Sequence, residues 1–441
     1  MYDLIGDIHG HAATLHALLT KLGYALRGGA WRHPERTAIF LGDFVDRGPE
    51  IRATIDTVRR MVDAGSARAV IGNHEINALA YATPRLDAEG GFCRPHTERN
   101  RRLHEATLSQ LSASERVEAI EWFRTLPLWL DLGGVRVVHA CWDEPSIACV
   151  REVLAEEGGM TDDAVRRLHE EGTPEFDAME MILKGPEIRL PAGVVLQDSE
   201  GHPRRVIRAR WFESPKAWTY DEVVFPPSPM VPSVEVPQGE RRDLPYYPAS
   251  APPLFFGHYW MSGESRPTLL APNLACLDWS VARGGWLVAY RWEGEQHLDP
   301  ARLGVLGLRD AQLQHAVLQL GADARRVEFL AQREHAPVAR QLDLHVARLQ
   351  AFGRGDAELA LDGQRVRLDA QVELVAGHAR QVGEQRDAGH VLDHVHRRQQ
   401  RGLLAGRDVA GLVVMGHGDG SSAPVSALRC AAAARTRGGG C

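Results

Sequence analysis

The sequence predicts an α/β fold. Short apolar runs recur and stop at a small residue or directly at a metal-capable side chain. Segments with helical apolar spacing alternate with them, and glycines mark the junctions. Tyr2 to Ile5 reads as the first strand, ending in Gly6-Asp7-Ile8-His9-Gly10. His11 to Leu22 carries Ala12, Leu15, Leu18, Leu19 and Leu22 at helical spacing and stops at Gly23. Thr37 to Leu41 is a second strand, running into Gly42-Asp43-Phe44-Val45-Asp46-Arg47-Gly48-Pro49. Ile51 to Val62 reads as a helix, and Ala67 to Ile71 as a third strand ending in Gly72-Asn73-His74-Glu75. A helix is expected over Asn77 to Ala82, out of that loop. Glu98 to Leu111 and Ala113 to Leu126 read as two more, Ser112 to Glu115 having capping-box spacing. These two helices could roof a site.

Two further apolar runs follow the same rule. Val135 to Val138 ends at His139, and Pro253 to Phe256 ends at Gly257-His258. Between them, Glu144 to Lys184 is acidic and helical, broken at Gly158-Gly159 and Gly172-Thr173-Pro174. Val194 to Trp211 alternates like a β-hairpin turning at 199–202. Pro226 to Pro253 is proline-rich, either a solvent-exposed loop or a flap over substrate. Leu274 to Trp292 reads as a closing hairpin that turns at Arg283-Gly284-Gly285.

A strand-end Asp is commonly a helix cap, and a lone His a satisfied polar group. Five strand ends of one kind point instead to a dedicated site, because the C-terminal edge of such strands is where ligands sit in α/β proteins. Asp7 and His9 are two residues apart, so an extended backbone points both to one side. A mixed set of imidazoles, carboxylates and an amide oxygen suits Mn, Fe or Zn better than Ca.

The Gly-Asp-Ile-His-Gly, Gly-Asp-Phe-Val-Asp-Arg-Gly and Gly-Asn-His-Glu segments, followed by His139 and Gly257-His258, together resemble the calcineurin-like metallophosphoesterases. The Asp-Arg-Gly and Asn-His-Glu forms resemble its phosphoprotein-phosphatase branch. The opening Tyr2 to Tyr24, with His33-Pro34, is most similar to bacterial diadenosine-tetraphosphatases and serine/threonine protein phosphatase-type enzymes. The resemblance covers residues 1–298 and implies a four-layer αββα sandwich of two mixed sheets. It implies two divalent ions, Mn²⁺ first with Fe or Zn as alternatives. Asp7, His9 and Asp43 would hold one, and Asp43, Asn73, His139 and His258 the other. Two such ions lie about 3.5–4 Å apart and can hold a hydroxide for in-line attack on phosphorus. His74 would be the general acid, Asp46 would orient it, and Arg47 would hold phosphate oxygens. A second phosphate-binding arginine is expected, with Arg208 and Arg210 as candidates. Glu75 would support the loop rather than do chemistry.

The implied activity is hydrolysis of a phosphoester or phosphoanhydride, on a dinucleoside polyphosphate or a phosphomonoester. A serine/threonine protein phosphatase and an RNA-end phosphatase are the alternatives. A non-catalytic phospho-ligand-binding module is the rival from another class; it would be favoured by loss of a ligand or of the His74–Asp46 pair, and neither is missing. Tyr259 follows His258, so the second histidine of the Gly-x-His-x-His ending of nuclease-like relatives is absent, which favours the phosphatase branch.

The net charge of −7 argues against a broad nucleic-acid footprint. No apolar run is long enough for a membrane span. Asp7 lies too near the start for a cleaved leader, and the six cysteines show no paired spacing, so a reducing cytoplasm is expected. Cys141 reads as packing despite its closeness to His139. After about residue 300 the composition changes: Ile, Lys, Asn, Tyr and Trp vanish and Arg, Ala, Gly, Leu, Val, Gln, Asp and His dominate. Residues 299–441 are therefore expected to be an appendage, flexible or poorly packed, with the skew of GC-rich DNA in an unselected or shifted frame, or an Arg-rich interaction tail. Val305 to Leu349 could be helical by propensity. His390, His394 and His396 reflect this composition rather than a metal site.

Overall fold

In a computed structural model, the structure describes residues 1–86, 90–191, 193–197, 203–215, 217–241, 244–261, 266–307, 357–361, 364–367 and 413–416. The chain divides into two compact units, Met1–His315 and Ala316–Cys441.

The first unit opens with β1 (Tyr2–Ile5) and α1 (Ala12–Lys21), then a small hairpin of β2 (Ala25–Arg27) and β3 (Ala30–Arg32). The alternation continues through β4 (Thr37–Phe40), α2 (Ile51–Asp63), β5 (Ala67–Ala69) and α3 (Asn73–Ala82). Three helices follow: α4 (Glu98–Leu103), α5 (Glu105–Gln110) and α6 (Ala113–Phe123). Next come β6 (Trp129–Asp131) and β7 (Arg136–Val138), then the acidic excursion as α7 (Glu144–Glu156), α8 (Asp162–Leu168) and α9 (Pro174–Lys184). The glycine breaks fall between these last three helices, as expected. The remainder of the unit is β8 (Glu187–Arg189), β9 (Leu196–Gln197), β10 (Pro203–Arg204), β11 (Val206–Arg208), α10 (Tyr220–Val223), β12 (Leu254–Phe256), β13 (Leu274–Cys276), β14 (Asp278–Trp279), β15 (Trp286–Trp292) and β16 (Leu303–Gly307).

Two mixed sheets form the frame. One has the order β14-β15-β1-β4-β5, with β16 also paired to β15; β1, β4 and β5 are parallel and β15 is antiparallel to β1. The other has the order β13-β12-β7-β6, with β13, β12 and β7 parallel and β6 antiparallel. Side chains alternate across each strand. Leu4, Ile39, Val288 and Tyr290 from the first sheet share one core with Val137, Phe255 and Ala275 from the second. Their neighbours Ile5, Phe40, Leu254 and Phe256 belong to another core with Leu15, Leu18 and Val58 of the helices α1 and α2 and Ile182 of α9. Cys141 is fully buried in that second core, where the sequence put it as packing.

Five expectations need correction. The Asn-His-Glu stretch is not a loop preceding a helix but the first turn of α3, with Gly72 as its N-cap in extended conformation. The helix expected over residues 98–111 breaks at His104, whose ring is held by Asp46 at 2.7 Å. Only β9 and β10 pair within the hairpin expected over 194–211, whose turn lies outside the described residues; β11 pairs instead with β8. The closing hairpin is real only between β14 and β15, because β13 leaves it to join the second sheet beside β12. The proline-rich stretch is not simply an exposed loop either: Val231 and Val236 are buried with Ile188, Ile207 and Tyr220 in a third core.

The first sheet continues past residue 298, since β16 pairs with β15 over Trp286–Gly307 to Tyr290–Leu303. In the second unit, β17 (Ala357–Leu361) lies between β18 (Gln364–Arg367) and β19 (Val413–Gly416), antiparallel to both. The helix expected over 305–349 lies outside the described residues except for 305–307, which belong to β16. His390, His394 and His396 also lie outside them. Among the described residues no helix is long and apolar enough to cross a membrane.

A buried ion pair anchors the central strand β1. Asp3 is fully buried, and its Oδ1 accepts from Arg36 Nε at 2.8 Å and Arg291 Nε at 3.2 Å. Arg36 also donates to the carbonyls of Tyr2 and Trp292, tying β1 to β15. Removing one partner strands the other charge in a place without water. Arg36→Ala is therefore expected to destabilise the protein by about 3 kcal/mol in urea unfolding; an unchanged midpoint would mean that Arg291 alone satisfies Asp3.

Candidate active site

The C-terminal ends of the parallel strands of both sheets carry the site. Asp7 and His9 follow β1, Asp43 follows β4, Asn73 and His74 open the helix after β5, His139 follows β7, and His258 follows β12. All seven are buried. Asp43 lies between the two sheets' contributions. Its Oδ2 is 3.5 Å from His9 Nε2 and 4.0 Å from His74 Nε2, and its Oδ1 is 3.4 Å from His139 Nε2. Ligand atoms of His9, Asp43 and His74 lie within 4.8 Å of one another, and so do those of Asp43, His139 and His258. Asp43 is common to both groups. Asn73 Oδ1 sits 3.0 Å from His139 Nε2 and 2.8 Å from His258 Nδ1. Asp7 joins through Oδ2, which accepts the His258 backbone N–H at 3.1 Å.

The backbone is forced to make this cluster. His9, Asp43, Asp46, Arg47 and His258 all have positive φ, a conformation that costs a side-chain-bearing residue energy and persists only where its surroundings over-determine it. Glu75 supplies much of that determination. Its Oε2 accepts the N–H groups of Asp43 and Gly72, and its Oε1 those of Phe44 and Val45, at 2.7 to 3.2 Å. Burial and the Asp43 charge push Glu75 up to about 8. Four N–H donors, two on each oxygen, nonetheless call for acceptors on both, so the ionised carboxylate is the form that fits the loop. At Gly257 a Cβ would collide with the Asp7 carboxylate. Only glycine lets that strand end close on Asp7.

Electrostatics separate the groups. Burial would raise Asp43, but His139, His74 and His9 pull it down to about 2. Burial, with the charges of Asp278 and Asp43, pushes Asp7 well up. Burial, aided by Arg47, holds His9 well below its ordinary range, and burial with Arg208 does the same to His258. A neutral imidazole is the form that ligates a metal. His9 and His139 turn Nδ1 to the carbonyls of Val45 and Leu41, which aims Nε2 into the cluster. Asp7 Oδ1, His9 Nε2 and His258 Nε2 are buried and have no hydrogen-bond partner. Such orphans are rare unless an ion or water completes them. The donor set therefore fits divalent cations, with oxygen and imidazole donors and no thiolate.

Beside the cluster stands a second arrangement. His74 Nδ1 is 2.6 Å from Asp46 Oδ2, and His74 Nε2 is 3.2 Å from Arg47 NH2. Asp46 is held from its other oxygen by His104 Nδ1 at 2.7 Å and the Thr107 hydroxyl at 2.6 Å. These hydrogen bonds outweigh burial and hold Asp46 well below the usual carboxylate range. The sequence pointed to Asp46 and Arg47 but not to His104 or Thr107, whose one sign is that the roof helices follow the Asn-His-Glu motif. Of the two candidate arginines, Arg208 donates to the His258 carbonyl at 3.0 Å, at the edge of the cluster. Arg210 instead pairs with Glu213 at 2.8 Å. Trp260 and Asp278 were also not foreseen: Trp260 lies against Arg47, and Asp278 Oδ2 accepts the Trp260 N–H.

Residues 2–190 match the family model described as calcineurin-like phosphoesterase. The chain is also similar to bis(5'-nucleosyl)-tetraphosphatases. The asymmetrical enzyme PrpE of Bacillus velezensis is 43% identical over 147 residues, 32% of this chain and 55% of the relative. PrpE of Halalkalibacterium halodurans is 35% identical over 126 residues, 28% of this chain and 48% of the relative. A symmetrical bis(5'-nucleosyl)-tetraphosphatase of a Janthinobacterium species is 33% identical over 136 residues, 31% and 42% of the two chains. The chain thus spans about half the length of the relatives it matches. Among solved structures, a cold-active protein-tyrosine phosphatase of a Shewanella species is 16% identical with a TM-score of 0.38, covering 66% of this chain and 75% of its own.

Glu75→Gln replaces one acceptor oxygen by an N–H₂ that faces backbone N–H groups. We expect a loss of about 2 kcal/mol in thermal unfolding of the metal-free protein, and full stability would show that the loop holds its shape without the carboxylate.

Proposed function

We propose that this chain is a dimetal-dependent hydrolase of phosphoester or phosphoanhydride bonds, with a dinucleoside polyphosphate as its substrate class. The observation that carries the reading is Asp43, whose two oxygens face His9 on one side and His139 on the other. Asp7, His9 and Asp43 would hold one divalent ion, and Asp43, Asn73, His139 and His258 the second, with Mn²⁺ the expected metal. Bound there, two such ions supply Lewis acidity at the phosphoryl oxygens and lower the pKa of a water.

The chain's own residues do the rest. Arg47 offers a planar fork to phosphate oxygens and offsets the charge that develops on them. His74 delivers a proton from Nε2 to the leaving oxygen, because Asp46 engages its Nδ1 and so fixes the orientation of the ring. His104 and Thr107 keep Asp46 from turning away and are positioning residues. The two sheets with their flanking helices are read as the four-layer αββα arrangement, and residues 1–298 with β16 as its extent. The substrate class rests on the similarity to the tetraphosphatases.

The test offers the full chain, reloaded with Mn²⁺, diadenosine tetraphosphate in parallel with p-nitrophenyl phosphate and a phosphoserine peptide. Chromatographic appearance of nucleotide products supports the reading; monoester hydrolysis beside an intact dinucleotide would overturn the substrate class. For the mechanism, His74→Asn is expected to keep its metal in elemental analysis and to lower turnover by about 10²–10⁴-fold on substrates with poor leaving groups. Asp43→Asn is expected to lose metal instead. Unchanged turnover in the His74 variant would remove it from the acid role.

A further inference from the structure

Arg47 is held without a carboxylate. Its NH2 lies 3.2 Å from His74 Nε2, and its Cζ lies 3.7 Å from the centre of the Trp260 ring. Asp43, Asp278, Asp46 and Asp7 attract it from farther off, and among the described residues none of them forms an ion pair with it. The difference matters chemically. A carboxylate grips a guanidinium in its own plane and occupies the N–H groups that would bind a ligand. An aromatic ring engages only the π-face and leaves the in-plane donors available, and tryptophan is the strongest aromatic partner for such a contact.

The ring itself is fixed. Arg283 Cζ lies 3.6 Å from the same ring centre, and two groups so close to one centre take opposite faces, so the half-buried indole is held from both sides. Its backbone is fixed as well. Trp260 has a positive φ, and so does His258 two residues before it. One tight turn after β12 thus carries both a candidate ligand and the ring, while Tyr259 between them is buried against Phe225 and Phe256. Asp278 then ties this turn to the one that follows β14: its Oδ2 accepts the Trp260 N–H at 2.7 Å and its Oδ1 the Ser280 N–H at 3.0 Å. Met261 N–H donates to the Asp278 carbonyl at 2.9 Å, and the Ser280 hydroxyl to the Met261 carbonyl at 3.1 Å.

We propose that Trp260 is a positioning residue for Arg47: its ring sets the guanidinium beside His74 and leaves the in-plane N–H groups to phosphate oxygens. Arg47 is exposed and ends a long side chain. Unrestrained, it would lose rotamer freedom on gripping an anion, and that loss weakens binding. A ring held on both faces and by its own backbone N–H removes that freedom beforehand. The proposal rests on the reading of Arg47 as a phosphate-holding residue and names what in this chain prepares it.

The experiment measures orthophosphate binding to the full chain reloaded with Mn²⁺, by titration calorimetry, for the wild type, Trp260→Ala, Trp260→Phe, Arg47→Ala and the Trp260→Ala, Arg47→Ala double variant. Asp278 holds Trp260 through its backbone N–H, so removing the ring leaves that link in place. Affinity is expected to fall about fivefold in Trp260→Ala, the weight of one partly desolvated cation–π contact. It should fall about thirtyfold in Arg47→Ala, which loses charge-assisted hydrogen bonds, and no further in the double variant. Trp260→Phe, which keeps a ring, should recover most of the loss, and manganese content by elemental analysis should match the wild type throughout. Unchanged affinity in Trp260→Ala, an equal loss from it with and without Arg47, a Phe variant as weak as the Ala variant, or lost manganese in Trp260→Ala would each overturn the assignment. Unchanged affinity in Arg47→Ala would instead overturn the phosphate-holding role of Arg47, and absence of orthophosphate binding by the wild type would overturn the reading of the site as a whole.

Discussion

The site depends on one carboxylate that is not itself among the candidate ligands. Glu75 gathers the N–H groups of Gly72, Asp43, Phe44 and Val45, and those donors belong to two separate strand ends. The interaction fixes the loop after β4 to the helix that follows β5. It is also what lets Asp43 keep a left-handed backbone without a glycine's freedom. The backbone N–H of His74 then donates to Asp43 Oδ1 at 3.0 Å, so the candidate acid and the shared ligand are set by the same few atoms. Gly72 must be small for this, since a Cβ there would meet the Asp43 backbone nitrogen.

The second constraint is that neither sheet holds a complete site. The six-stranded sheet brings Asp7, His9, Asp43 and Asn73, and the four-stranded sheet brings His139 and His258. Their relative position is set by the shared core of Leu4, Ile39, Val137 and Phe255, and by the chain itself, which passes from one sheet to the other at Leu277, between β13 and β14. A buried apolar layer thus determines the geometry of a polar site. Dense packing is suited to that task because it yields little to local strain.

The parts of this arrangement that were legible in the sequence are those in which strand, turn and functional residue are contiguous. Gly-Asp-Ile-His-Gly, Gly-Asp-Phe-Val-Asp-Arg-Gly and Gly-Asn-His-Glu each contain their own strand end, so spacing alone places the side chains. His139 and Gly257-His258 followed from the same rule. What was not legible depends on partners distant in the chain. His104 acts on Asp46 across 58 residues and interrupts its own helix to do so. Trp260 and Arg283 come together because Asp278 laces their loops, a relation that no local pattern encodes. The passage of residues 274–292 between sheets was missed because alternating apolar positions look alike whether a strand stays in one sheet or changes to another. Arg208 and Arg210 are equivalent by spacing, and the strand pairing of β11 with β8 separates them.

The strand order of the larger sheet has a consequence for how the protein is made. β1 lies between β4 and β15, and its residue Asp3 contacts Arg291, 288 residues further along. At ribosomal speeds one edge of that first strand waits roughly 15 to 60 seconds for its neighbour to be synthesised. Throughout that interval the nascent chain already carries the aspartates and the Asn-His-Glu turn, but it cannot close the sheet on which they stand. A truncation just after His258 would likewise keep every candidate ligand and lose the strand that completes the frame. Maturation of this site is therefore tied to the end of translation of the unit rather than to the appearance of its motifs, and premature termination there yields an open sheet edge prone to aggregation instead of a slower enzyme.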